Sequence, residues 1–465
     1  MTSTPTDVVI LGGGPAGYSC ALRCADLGLR VALVERDEVG GTCLHRGCVP
    51  TRAMLHAASL ADAAGKPSER WGLESSFNGV DVARLKATRD EVVARNVRSI
   101  RHHLDAAQVQ LINSGGRLLD ARTVIVDDVR VEATRALVLA MGSTPRSLVG
   151  MQPDGKRILT SDQALALDRM PKSAIVVGGG AVGCEFSQVW AAFGTQVTML
   201  EIEAHLVPFE DADVGHALAR ALRRRGIRVH GGAELEGVEV SDDSVVARFT
   251  AGKKDHRVSA EVLLLAVGRD PATGGLGLEE AGVALEDGYV ALRDWSSLET
   301  TVGGVHAVGD LLPPPSLARA HVAFAEGLLV ADAISGETVR GIDYKGVPRV
   351  THGIIETACV GLSEDEARAA MDEVEVRSMP LGGVAKGLML AEPGLVKVIA
   401  EKQGPILGIH MVGPHASESV GEAVALTGYG ATPAEAAALV HAHPTLSEAL
   451  MELNLALAGR PLHQR

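Results

Sequence analysis

The chain has 465 residues, enough for about two to four ordinary domains, and its 46% apolar content supplies full cores and argues against wholesale disorder. With 44 basic and 58 acidic side chains the net charge is −14, which argues against nucleic acid as the ligand. No apolar run nears the ~18–20 residues that cross a bilayer, and the start, MTSTPTDVVI, lacks the pattern of a secretory signal. A soluble, cytoplasmic protein without membrane contact is expected.

In chain order, the first readable unit is DVVILGGGPAGYSCALRCADLGLRVALVE: a short apolar strand, a glycine loop, a helix, a second apolar strand and an acid. Gly12, Gly14 and Gly17 stand where a dinucleotide fold needs a tight turn, close approach to a pyrophosphate and close helix–strand packing. The helix N-terminus offers N–H groups and a positive dipole end to phosphate. Glu35 closes the unit where a carboxylate can accept from a ribose diol.

Residues 40–55, GGTCLHRGCVPTRAML, follow. Five residues rise ~7.5 Å in a helix and span ~16 Å in a strand, both beyond the ~4.4–6.8 Å Cα window of a disulfide. A Cys43–Cys48 bridge therefore needs a distorted turn, for which Gly47 and Pro50 are the expected means. Such a bridge would be strained and exchangeable. Two free structural thiols, or a metal site using His45 or His56, are the competing readings, the latter lacking a second cysteine pair. Cys20, Cys24, Cys184 and Cys359 lie in apolar or glycine-rich surroundings and read as core residues. No metal site is expected.

From Ser173 the first unit is echoed as SAIVVGGGAVGCEFSQVWAAFGTQVTMLE, with Gly178, Gly180, Gly183 and the acid Glu201. Glu201, where an arginine would suit a 2′-phosphate, favours NAD over NADP. Two such units imply two dinucleotides, one of them a flavin relaying electrons to the other. The basic run RALRRRGIR (220–228) reads as a helix end, with Gly226 at the left-handed position. Apolar residues then lead into Gly309-Asp310, where the acid can bind a polyol hydroxyl or serve as a turn or cap residue. The stretch SLARAHVAFAEGLLVADAISG reads as a helix. Near the end, HAHPTLSE holds two candidate bases, His441 and His443, and an acid, Glu448, while Thr445-Leu-Ser-Glu448 also fits a capping box.

GGGPAG, GGTCLHRGCVPTRAML, GGGAVGCEF, VGRDP, GVHAVGD and HAHPTLSEAL together resemble the flavoprotein disulfide reductases, the class I FAD-dependent pyridine nucleotide-disulfide oxidoreductases, from about residue 7 to the C-terminus. The resemblance implies an α/β chain of two Rossmann-like domains and an α+β C-terminal dimerisation domain. Its bounds would be FAD domain 1–148, NAD domain 149–274, a return to the FAD domain over 275–347, and the interface domain 348–465. It implies FAD on the first module and NAD on the second. Gly41, Thr42, Gly116, Met141, Gly142, Ser143, Asp310, Ala320 and His321 match positions near FAD, with Asp310 by the ribityl chain, and Gly268 also matches a cofactor position.

The resemblance also makes Cys43 the thiol that exchanges with substrate, Cys48 the thiol facing the flavin, and His443, backed by Glu448, the base supplied by the partner in a homodimer. The implied reaction is oxidation of protein-bound dihydrolipoamide by NAD⁺, on the lipoyl domain of a 2-oxo acid dehydrogenase complex or the glycine cleavage system. A related NAD(P)H-dependent reductase of another small disulfide, or a complex subunit with diaphorase activity, are the alternatives. The chain departs from the pattern at Arg52, where the family has lysine paired with the glutamate matching Glu185, and at Met141, where threonine is usual. It also lacks the proline that usually precedes Glu356, and its linker after Asp310 is about two residues longer.

Overall fold

The computed structural model describes residues 6–65 and 69–464. Two compact units emerge, each assembled from separate stretches of chain. One comprises the chain up to Ala53, Lys86–Arg146 and Arg269–Tyr344; the other comprises Met54–Leu85, Ser147–Gly268 and Lys345 onward.

In the first unit a parallel sheet is centred on Thr6–Leu11, which pairs with Val31–Glu35 on one side and Val129–Leu139 on the other. Gln110–Asn113 extends one flank and Val305–Ala307 the other, both in parallel. Fully buried Val, Ile and Leu on these strands make the core, as expected of a parallel sheet covered on both faces. The Pro15–Asp26 helix, with proline in its first turn, packs closely on the Ala320–Ser335 helix. At Gly327 an added Cβ would overlap Ser19 Oγ and the Ala16 carbonyl, so only glycine allows that approach. Cys20 and Cys24 are fully buried there.

The second unit repeats the scheme with a five-stranded parallel sheet in the order Arg228–His230, Gln196–Leu200, Ser173–Val177, Val262–Leu265, Ile158–Leu159. A three-stranded antiparallel meander, Ala233–Val240, Val245–Ala251 and Lys254–Ala260, accompanies it. The helix Ala212–Arg224 ends with arginines in its last turn and Gly226 at φ +84°, as the basic run suggests. The C-terminal part is antiparallel, in the order Arg349–Thr351, Glu356–Gly361, Ile406–Gly413, Leu395–Glu401, Val374–Pro380, with Ala416–Gly428 and Glu448–Leu457 among its helices. Cys184 and Cys359 are buried in this unit's core. Among the described residues no helix is long and apolar enough to cross a membrane.

Candidate active site

The two glycine loops share their backbone turn and their closest contacts. Gly12 and Gly178 adopt φ +108° and +104°, and a Cβ at either would overlap a backbone carbonyl, that of Ala140 or Ala266. A Cβ at Gly17 would strike the Gly12 carbonyl, and one at Gly183 the Gly178 carbonyl, so these glycines set how closely each helix meets its loop. At Gly180, by contrast, a Cβ would meet nothing within 4 Å, and at Gly14 only the Gly41 Cα, 4.0 Å away. Each loop thus leaves a cradle at its second glycine, the N-cap of a helix with no acidic residue in its first turn. That donor set suits a pyrophosphate, and the residues present fit FAD and NAD.

The two acids are buried within their own loops. Glu35 accepts from Gly13 N (2.6 Å) and Asp37 N (2.8 Å). Glu201 accepts from Gly179 N and, at 2.8 Å, from Glu203 N. Both carboxylates therefore first brace the phosphate loop, and any hydrogen bond to a ribose would use their remaining lone pairs.

The cysteine segment folds as two helices, Gly41–His45 and Cys48–Ala63. Gly40 and Gly41, at φ +102° and +56°, bring the chain in, and Gly41 lies so close to Gly14 that a side chain there would press on the Gly14 Cα. The expected role of Pro50 is corrected: it sits in the first turn of the second helix, where its missing N–H costs nothing. The break falls at Arg46 (φ −137°) and Gly47, whose carbonyl accepts from Thr51 N at 3.1 Å. His45, considered for a metal, bonds the Val39 carbonyl through Nε2 (2.9 Å).

Both cysteines are thiols, half-buried, and hydrogen-bonded to each other. Cys48 and burial hold the Cys43 thiol well above its ordinary range; Arg52 works in the opposite direction and Asp310 adds to the rise. Cys48 is the first residue of its helix, where the dipole favours a thiolate.

Asp310 lies in a 3₁₀ turn, Gly309–Leu311, and does not cap the following helix, whose N-cap is Arg319. Its Oδ2 accepts from Ser143 Oγ at 2.5 Å. Arg269 Nε donates to the same hydroxyl, a second guanidinium nitrogen donates to the Ser143 carbonyl, both at 2.7 Å, and Arg269 stands 4.0 Å from Asp310. The sequence reading missed Arg269, although its VGRDP motif was in view; the signal was an arginine in a three-residue strand paired with Ser143–Pro145. Gly142, at φ +73°, turns the chain after the half-buried Met141. Gly116 packs against Val124, Leu11 and Val34. Thr42 lies in the first cysteine helix, while Ala320 and the exposed His321 open the Ala320–Ser335 helix.

In the second unit, Glu185 is buried and its Oε1 accepts from His352 N at 3.2 Å. Gly268, at φ +105°, leads out of the last strand of the nucleotide sheet. His443 Nδ1 donates to Glu448 Oε1 at 2.8 Å, and Glu448 Oε2 accepts from Thr445 N at 2.8 Å. One carboxylate thus orients the imidazole and reaches back as a capping box would. The box is only half formed, because the Thr445 hydroxyl donates to the Ala442 carbonyl. His443 is exposed, whereas His441 is buried against Glu422 at 2.7 Å.

The family profile described as pyridine nucleotide-disulphide oxidoreductase matches residues 6–327, and that of its dimerisation domain residues 347–454. The dihydrolipoyl dehydrogenase of Bacillus subtilis (strain 168) is 34% identical over 99% of this chain and 100% of that protein. The dihydrolipoyl dehydrogenase of Thermus scotoductus is 36% identical over 98% of each. LpdA from Mycobacterium tuberculosis superposes with a TM-score of 0.87 at 29% identity, over 97% of this chain and 99% of that one.

Proposed function

The chain belongs to the pyridine nucleotide-disulphide oxidoreductase family, with FAD and NAD as its cofactors, and we propose that it oxidises protein-bound dihydrolipoamide with NAD⁺. The observation that carries this reading is the Cys43–Cys48 thiol pair, set at a helix start beside Asp310 and Arg52. The His443–Glu448 dyad supplies the matching base.

In the oxidised enzyme the two sulfurs form a disulfide. With its Nδ1–H held by Glu448, His443 has Nε2 left to take a proton from a substrate thiol. The substrate thiolate attacks Cys43 Sγ; a substrate–Cys43 bond forms, the Cys43–Cys48 bond breaks, and the electron pair leaves on Cys48. The second substrate thiol, deprotonated in turn, attacks the substrate sulfur bonded to Cys43 and closes the lipoyl disulfide. Cys43 leaves as a thiolate and takes up a proton, so two electrons and one proton rest on the pair. The helix start favours the charge on Cys48. When bound, FAD and NAD⁺ supply the two-electron relay that restores the disulfide.

His443 acts on Cys43 of the other subunit in a homodimer, a reading supported by the dimerisation-domain match. The partner is the lipoyl domain of a 2-oxo acid dehydrogenase complex or of the glycine cleavage system, met in the cytoplasm. Arg52 stands where the family has lysine and alters the flavin potential; Arg52→Lys with unchanged potential and turnover would sink that part. The principal test is anaerobic addition of dihydrolipoamide, glutathione or NADPH, each alone, while flavin absorbance is followed. Dihydrolipoamide should produce a long-wavelength band that Cys48→Ser removes; no band with dihydrolipoamide defeats the substrate assignment.

A further inference from the structure

Glu326 is fully buried on the Ala320–Ser335 helix, and its two oxygens gather three donors. Oε2 accepts from Gly309 N at 2.6 Å; Oε1 accepts from Ser316 Oγ at 2.7 Å and from Tyr344 OH at 2.9 Å. Gly309 immediately precedes Asp310 and sits at φ +71°, so its N–H fixes the direction of the Asp310 turn. Ser316 belongs to the stretch Leu312–Arg319, with its three consecutive prolines, and Tyr344 packs edge-on against Trp295.

We infer that Glu326 is a positioning residue for the FAD site, one carboxyl that fixes both the Asp310 turn and the proline-rich stretch behind it. The inference rests on the reading that FAD occupies the first module. The linker, longer than the family pattern, is thereby tied to the turn instead of looping free.

Burial pushes the Glu326 pKa up to about 7 and the charge of Asp310 adds to it, while the bonds from Ser316, Gly309 and Tyr344 work against the rise. Across the packed Pro15–Asp26 helix the facing groups are Tyr18, Ser19 and Arg23, the last taken up by Asp332 at 2.7 Å. On the helix of Glu326 itself, Arg319 and His321 lie at the N-terminal end. As an anion Glu326 accepts all three bonds; once protonated it must give up or reverse one. The Asp310 turn therefore loosens as pH falls through neutrality.

The test is the rate of FAD release from the holoenzyme, followed by flavin fluorescence between pH 6 and 8.5. In the wild type, release should slow at least threefold as pH rises across that range. Glu326→Gln should be flat with pH, at the fast acidic rate. Tyr344→Phe, which removes a donor favouring the anion, should move the midpoint to higher pH. A Glu326→Gln profile that follows the wild type, or a Tyr344→Phe midpoint that stays or falls, overturns the inference alone. A wild-type chain that neither carries nor takes up FAD overturns the functional reading, and this inference with it.

Discussion

The two glycine loops share φ angles, clash pattern and buried acid, yet they differ in what stands over the cradle. Over Gly14 lies Gly41, the start of the cysteine segment, 4.0 Å from where a side chain would begin; over Gly180 there is open space. The positions that follow diverge too. Five residues past the second glycine the first helix carries Ser19, bonded to the Ala16 carbonyl (3.1 Å) and packed under another helix, and the second carries the buried acid Glu185. A covered cradle suits a cofactor that stays, and an open one suits a coenzyme that arrives and leaves each cycle. The same local geometry thus serves two tasks, and the residues around it decide which.

Chemistry should break the symmetry most. Cys43→Ser should lower dihydrolipoamide turnover by about 10³ or more while leaving NADH binding, measured by fluorescence titration, unchanged; a matching loss of NADH binding would mean the modules do not divide the work. Symmetry should reappear in stability. Gly17→Ala and Gly183→Ala each force a side chain onto a carbonyl and should each cost about 4 kcal/mol in urea unfolding; tolerance of either would show that the loop relaxes. The smallest effect separates the cradles themselves. Gly180→Ala should weaken NAD⁺ binding about tenfold, ~1.4 kcal/mol, with FAD content unchanged, and Gly14→Ala should do the reverse. Either variant weakening both cofactors would refute the division.

The local features were legible because each leaves a one-dimensional trace: glycines at fixed offsets, apolar strands, an acid at a strand end, a histidine before proline. What escaped was set by long-range contact. Arg269 meets Ser143 and Asp310 across more than a hundred residues of chain in the first case, and no local spacing announces that. Glu326 is an acid on a helix of mostly apolar residues, and only the fold gathers Gly309, Ser316 and Tyr344 around it. Pro50 misled because proline signals both a bend and a helix start, and only the helix bounds decide between them.

Glu448 has a further consequence for how the enzyme meets acid. The backbone of Thr445 and the His443 imidazole hold its carboxyl below the ordinary carboxylate range. A depressed folded-state value means stability that is present above the unfolded value and lost as pH falls through the folded one. The same protonation takes the charge from the His443 partner and weakens the contact that ties Thr445 to the start of the Glu448–Leu457 helix. Fraying of that helix should therefore set in as Glu448 is protonated, together with loss of the contact that orients the His443 imidazole.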